Sequence, residues 1–258
     1  MKKEEMLPEI KEYWDGGAED FSKIIKKELN SFRKEAWQRL ILDNAPDKKV
    51  LKILDIGTGP GMFSILLAEK GHDVTGVDCT DAMLEKAEQN AGDYGVQVKF
   101  LKMDSHELNF PDNSFDLIVN RNVTWTLYDP EKAYKEWHRV LNVGGKALIF
   151  DANWGLFCFD DSLRKRQDIA KLNYKREFHD KDPERYPYYE TTLKEIEYYK
   201  ELFYSDKDRP DFDKAFLEKI GFFVDIKDNI SNIVWDEAQC AMYAATPMFM
   251  ISAQKKAG

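Results

Sequence analysis

The chain has 258 residues, 43% hydrophobic and 33% charged, enough to bury the core of one large α/β domain. A formal charge of -9 argues against a nucleic-acid partner, since phosphate binding needs a basic face. No apolar run approaches the roughly 18 residues of a membrane span, and MKKEEMLPEI lacks an apolar leader, so the expectation is a cytoplasmic protein with no membrane partner.

Residues 5–44 read as helices, with apolar positions at helical spacing in FSKIIKKELNSFRKEAWQRLIL. VLKILDI then begins a strand, followed by a glycine loop, a helix ended by Gly71 and the strand DVTGVD. Asp81 is expected to cap the helix AMLEKAEQNA. VQVKFLKMD and FDLIVN read as strands three and four, PEKAYKEWHRVL as a helix and KALIFD as strand five. Such alternation predicts a parallel, doubly wound sheet. After Asp151 it stops. Residues 154–209 are charged and aromatic, with seven of twelve tyrosines between Tyr174 and Tyr204, and read as an ordered inserted cap. A helix (DFDKAFLEKIG), a strand (FFVDIKDNI), a short helix (DEAQCAMYAA) and a last strand (PMFMISAQK) close the pattern. One domain results: an N-terminal helical lid (1–49), a ligand-binding core (50–153), the cap (154–209) and the rest of the core (210–258).

Cys79, Cys158 and Cys240, like the four histidines, are scattered without metal-ligand spacing, so neither a disulfide framework nor a metal site is expected. The glycine loop, ILDIGTGPGMF, carries more chemistry. Glycine serves where the backbone takes positive φ or a ligand must come close, and a strand, glycine turn and helix hold nucleotide-like ligands. The third glycine of a dinucleotide fingerprint is replaced by Met62, and no Lys-Ser/Thr pair follows for a phosphate loop. Asp55, just before the glycines, would repel a pyrophosphate but suits a cationic amino group. Asp78, about 20 residues beyond the loop, suits ribose hydroxyls. A ligand with a ribose, an amino group and no phosphate fits all three, and S-adenosylmethionine is such a ligand.

ILDIGTGPG, the acid of VTGVD, KMDSHELNFPDNSFDLIV and HRVLNVGGKALIFD together resemble the class I S-adenosylmethionine-dependent methyltransferases, in the same order and spacing. The likeness spans residues 50–151 strongly and the last fifty loosely; Val143 departs from the usual Pro-Gly-Gly turn. It implies a Rossmann-like, doubly wound, seven-stranded α/β sheet whose last strand is antiparallel and lies between strands five and six. It also implies a site. Gly57, Thr58, Gly59 and Gly61 would line the methionine part, Asp55 would anchor its amino end, and Asp78 the ribose. Cys79 and Met83 would pack on the adenine, Asp104 would accept its amine with Ser105 and His106 beside it, and Asn120 and Arg121 would lie beneath the sulfonium. No catalytic residue is implied, because in-line displacement at a sulfonium needs mainly positioning. For the acceptor the sequence nominates Tyr13, Trp14, Trp125, Asn153 and Trp154. The expected reaction is methyl transfer to N, O or S of a small molecule; a non-catalytic binding protein, a nicotinamide enzyme or a protein methyltransferase are the competing readings.

Overall fold

The computed structural model describes residues 3–180 and 192–256. Strand β1 (Lys52–Ile56) buries four of its five residues. A buried run, apolar apart from Asp55, suits a strand covered on both faces. Strands β2 (Asp73–Asp78), β3 (Lys99–Lys102), β4 (Phe115–Arg121), β5 (Leu141–Asp151), β6 (Phe222–Lys227) and β7 (Phe249–Lys255) join it in the order β3-β2-β1-β4-β5-β7-β6. The first five are parallel, and β7 runs antiparallel between β5 and β6, as expected.

Helices α1 (Lys3–Asp15), α2 (Ala18–Leu29) and α3 (Arg33–Asn44) precede the sheet. On one face, with α4 (Met62–Ala68) and α5 (Asp81–Asp93), lies a core centred on Trp37, Phe63 and Phe150, whose ring centroids are 5.0 to 5.6 Å apart. On the other, α6 (Pro130–Val140) and α9 (Asp211–Ile220) bury Tyr134, Trp137 and Leu217 against Ile149 and Phe222. Chain order reverses between β1 and β4, so the helices after them diverge and leave a crevice at the strands' carboxyl ends.

Three local expectations change. Strand three shortens to Lys99–Lys102 at the sheet edge. Strand five starts earlier, at Leu141, because a register shift opposite Phe115 and Leu117 absorbs the turn at Gly144, whose φ is +77. Thr80, not Asp81, is the N-cap of α5, and its hydroxyl donates to Asp78 Oδ1 instead of capping the helix.

The insertion attaches at two places. After a 3-10 turn at Leu156–Cys158, α7 (Asp161–Tyr174) buries Tyr174 against Ala238 and Met242 of α11 (Glu237–Met242), which follows the short α10 (Ser231–Val234). Then α8 (Leu193–Glu201), opened by a Thr192–Glu195 capping box, brings Tyr198 and Tyr199 onto α1 and Trp125. Tyr186, Tyr188 and Tyr189 of the expected cap lie outside the described residues. Among the described residues no helix is long and apolar enough to cross a membrane, and no three His, Cys, Asp or Glu side chains gather as a metal site.

Candidate functional site

A cavity of about 1110 Å³, counted to its open mouth, fills the crevice above β1, β2 and β4. Its floor is the glycine loop. Gly57 and Gly59 have φ of +63 and +52, and a Cβ on Gly57 would collide with the Val123 side chain. The loop is therefore bare for two reasons: left-handed backbone and the close approach of the β4 turn.

Asp55 holds that loop. Its Oδ2 accepts from Thr58 Oγ1 (2.7 Å), Ser64 Oγ (2.8 Å) and Ser64 N (3.0 Å), tying the glycines to the first turn of α4. Its Oδ1 has no donor among the described residues, and the side chain lines the cavity. Burial pushes this carboxyl up to about 6, against the lowering effect of the hydroxyls. Asp78 accepts from Gly59 N at 3.0 Å and from Thr80 N and Oγ1 at 3.0 and 2.9 Å. Three of its roughly four acceptor sites are thus in use.

Asp104 is the third acid of the cavity. Burial pushes its carboxyl up, but hydrogen bonds from His106 and Tyr128 outweigh it and hold it at about 2. His106 Nδ1 lies 2.6 Å from Asp104 Oδ1, and its Nε2 faces Asp129 N at 3.3 Å. This assigns the proton to Nδ1 and leaves the ring locked at both nitrogens. Tyr128 donates to Asp104 Oδ2 at 2.5 Å and stacks on the imidazole, ring centroids 3.7 Å apart. Cys79, Met83 and Ser105 also line the cavity; burial pushes the Cys79 thiol up to about 12, so it stays protonated.

Arg121 also lines the cavity, and its Nη1 donates to Glu28 Oε2 at 2.7 Å. Asn120 does not reach the cavity. Successive strand residues point to opposite faces, and Asn120 is fully buried with neither side-chain polar atom hydrogen-bonded.

Of the acceptor candidates, Trp14 lines the cavity. Tyr13, one residue away on α1, instead stacks on Tyr198 with ring centroids 4.8 Å apart. Trp125 stands behind Trp14 at 6.2 Å, its indole N–H given to Asn122 O. Asn153 exchanges two hydrogen bonds with the Arg209 backbone, and Trp154 packs edge-on against Tyr243. Among the described residues, nothing from 154–209 lines the cavity. Helices α1 and α2 cover it instead, through Leu7, Ile10, Phe21 and Ile25, and the β4 turn adds Val123 and Tyr128. Sequence reasoning missed these six. The only signal for the first four was the amphipathic spacing of the N-terminal helices, which serves a core equally well.

Residues 54–149 match the family model described as a methyltransferase domain. The chain is similar to the demethylmenaquinone methyltransferase of Thermus thermophilus, 36% identical over 117 residues, covering 45% of this chain and 53% of that one. It is also 33% identical over 147 residues to the ubiquinone/menaquinone biosynthesis C-methyltransferase UbiE of Psychromonas ingrahamii, covering 53% of this chain and 55% of the relative. The chain thus spans about half the length of the curated relatives it matches. Among solved structures, the Haemonchus contortus phosphoethanolamine N-methyltransferase 2 with S-adenosyl-L-methionine superposes with a TM-score of 0.58 at 20% identity, over 86% of this chain and 52% of that one. The [4+2]-cyclase SpnF superposes with a TM-score of 0.53 at 17% identity, over 86% and 80%. At such identities the likeness is one of fold, and the cyclase shows that this fold serves other chemistry too.

Proposed function

We propose that the chain is a class I S-adenosylmethionine-dependent methyltransferase with S-adenosylmethionine as its cofactor, and that it passes the cofactor's methyl group to a small, largely apolar acceptor held under α1 and α2. One observation carries this reading: a single cavity is lined both by three carboxylates with a bare glycine loop and by the apolar side chains of Leu7, Ile10, Trp14, Phe21 and Ile25 from α1 and α2. The carboxylates and the loop fit the cofactor. Asp55 keeps Oδ1 for an ammonium, Asp78 keeps an acceptor site for a ribose hydroxyl, and Asp104 is ionised to accept an adenine amine.

When bound, the cofactor supplies a methyl group on a sulfonium, a good leaving group. What this chain's residues contribute is placement and exclusion of water. His106 is no candidate for a base, since both its nitrogens are engaged by Asp104 and Asp129. Among the lining residues no other histidine and no lysine is present. Catalysis then rests on holding the acceptor in line, worth up to about 7 to 11 kcal/mol in favourable systems. A covered cavity favours a small molecule over a protein side chain. The relative from Psychromonas ingrahamii is named a C-methyltransferase, which adds carbon to the N, O and S atoms expected from the sequence, and makes a hydroxylated aromatic ring the first acceptor to try.

The test has two parts. Calorimetry with S-adenosylmethionine should show saturable binding that Asp78→Ala weakens tenfold or more, since charge-assisted hydrogen bonds contribute about 1.5 to 3 kcal/mol each. Incubation with deuteromethyl-labelled cofactor and a panel of naphthoquinols, phenols, amines and thiols, read by mass spectrometry, should then label one class. Binding without transfer to any of them would favour the non-catalytic reading.

A further inference from the structure

Among the described residues the insertion lines no part of the cavity, which leaves its outer face without a role in the chemistry above. That face is unusual in charge. Residues 164–176, RKRQDIAKLNYKR, hold six Lys or Arg against one acid, Asp168, on a chain whose formal charge is -9. They form most of α7 and the start of the π turn, Lys175–His179, that continues it.

Packing fixes which way α7 faces. Leu163, Ala170 and Tyr174 are buried, and Tyr174 packs with Ala238 and Met242 of α11. Helical spacing puts Lys165, Ile169 and Leu172 on the opposite side, with Arg176 one turn on, and all four are exposed. Ile169 is 61% and Leu172 56% open to water, and Phe159, just ahead of the helix, is 53% open. A lone exposed apolar side chain needs no explanation, but here two lie along one line with cations at both ends. Among the described residues no carboxylate pairs Lys165, Arg166 or Arg176, and Arg166 donates to Ser162 Oγ at 2.8 Å.

We propose that this face of α7 docks on an anionic phospholipid surface, with Ile169 and Leu172 entering the headgroup boundary and the cations meeting lipid phosphates. Two other occupants fit less well. A two-fold dimer sets a patch against its own copy, which here puts the basic run against itself. A nucleic acid neutralises the cations but offers the apolar pair only a charged backbone. The expectation of no membrane partner rested on the lack of a spanning segment, and a helix lying on a surface needs none. Docking puts the chain where an apolar acceptor concentrates, yet it stands apart from the methyl-transfer reading, since no cavity residue takes part.

Co-sedimentation of the full chain with vesicles tests this, using phosphatidylcholine alone and phosphatidylcholine with an equal part of phosphatidylglycerol, without cofactor. Binding to the mixed vesicles only, weakening as salt rises, is expected. Ile169→Ser with Leu172→Ser should weaken it about tenfold, and Lys165→Gln with Arg176→Gln about tenfold or more. All four side chains are exposed, so both double variants should melt as the wild type does. No binding to the mixed vesicles would overturn the proposal. So would binding that either double variant leaves unchanged, because the contact would then lie elsewhere or lack the apolar insertion. A DNA duplex held more tightly than the mixed vesicles would overturn it in favour of a nucleic acid. A dimer in sedimentation velocity that the Ile169 and Leu172 changes dissolve, with no vesicle binding, would do so in favour of a second copy.

Discussion

Arg209 Nη1 lies 3.1 Å from Asp151 Oδ2 across 58 residues of chain, and both side chains are closed to solvent. The same guanidinium donates to both oxygens of Asp213 and to Thr124 Oγ1, while Asp151 also accepts from Thr124 Oγ1 and Trp125 N. The exit of the insertion, the end of β5 and the turn after β4 are thereby fastened at one point. Removing the cation would leave two carboxylates buried and unpaired. Arg209→Met is expected to cost about 3 to 5 kcal/mol of stability, read by urea unfolding. A loss below 1 kcal/mol would mean that the cluster is not closed in solution.

Asp55 sets a pH dependence. Its folded-state value of about 6 lies above the ordinary 3.8, so between them the free folded protein holds a proton that the unfolded chain has lost. Stability from this group therefore falls as pH rises from about 4 to about 6. A ligand ammonium favours the ionised form, so S-adenosylhomocysteine affinity should rise over that window, by up to about tenfold per unit, and level off above pH 7. Burial pushes Asp78 upward too, so the assignment needs a variant. Calorimetry in two buffers of different ionisation enthalpy should count one proton released near pH 5.5, and Asp55→Asn should abolish it.

At Gly57 the turn and the neighbour can be separated. Gly57→Ala meets both the φ of +63 and the Val123 methyls, and should cost more than about 1 kcal/mol and weaken cofactor binding. Adding Val123→Ala removes the steric conflict but not the backbone strain. Partial recovery in thermal unfolding is expected. Full recovery would show that φ matters little there.

The Tyr13–Tyr198 stack tests how the insertion acts. Because α8 packs on α1, and α1 carries Leu7, Ile10 and Trp14 into the cavity, Tyr198→Ala should loosen the cover without touching the floor. An aromatic pair contributes about 1 kcal/mol, so stopped-flow release of S-adenosylhomocysteine should quicken about fivefold with cooperative melting intact. A raised acceptor KM with unchanged release would restore the insertion as a direct wall of the acceptor site.

Some of this was decided by the sequence alone. An apolar strand, positive-φ glycines, Asp55 before them and Asp78 after them are local patterns, and local sterics and charge suffice to make them a ligand loop at the end of a parallel sheet. The strand order, the antiparallel β7 and the cavity-facing positions of Asp78, Asp104 and Arg121 followed from ordered motifs. Other residues were undecidable from sequence, because a side chain's role depends on what distant segments bring to it. Asn120 and Arg121 are neighbours, yet the strand's alternation sends only one to the cavity. Tyr13 and Trp14 are likewise turned apart by the helix, one onto α8 and one inward. His106, which the resemblance places beside the adenine, has both ring nitrogens occupied by Asp104 and Asp129, which its position in the sequence does not reveal. Asn153 looked like an acceptor contact until Arg209, 56 residues on, took both ends of its amide. Composition and spacing carry burial and turn chemistry, whereas which polar atoms remain free for a ligand is settled only when the tertiary contacts have used up the rest.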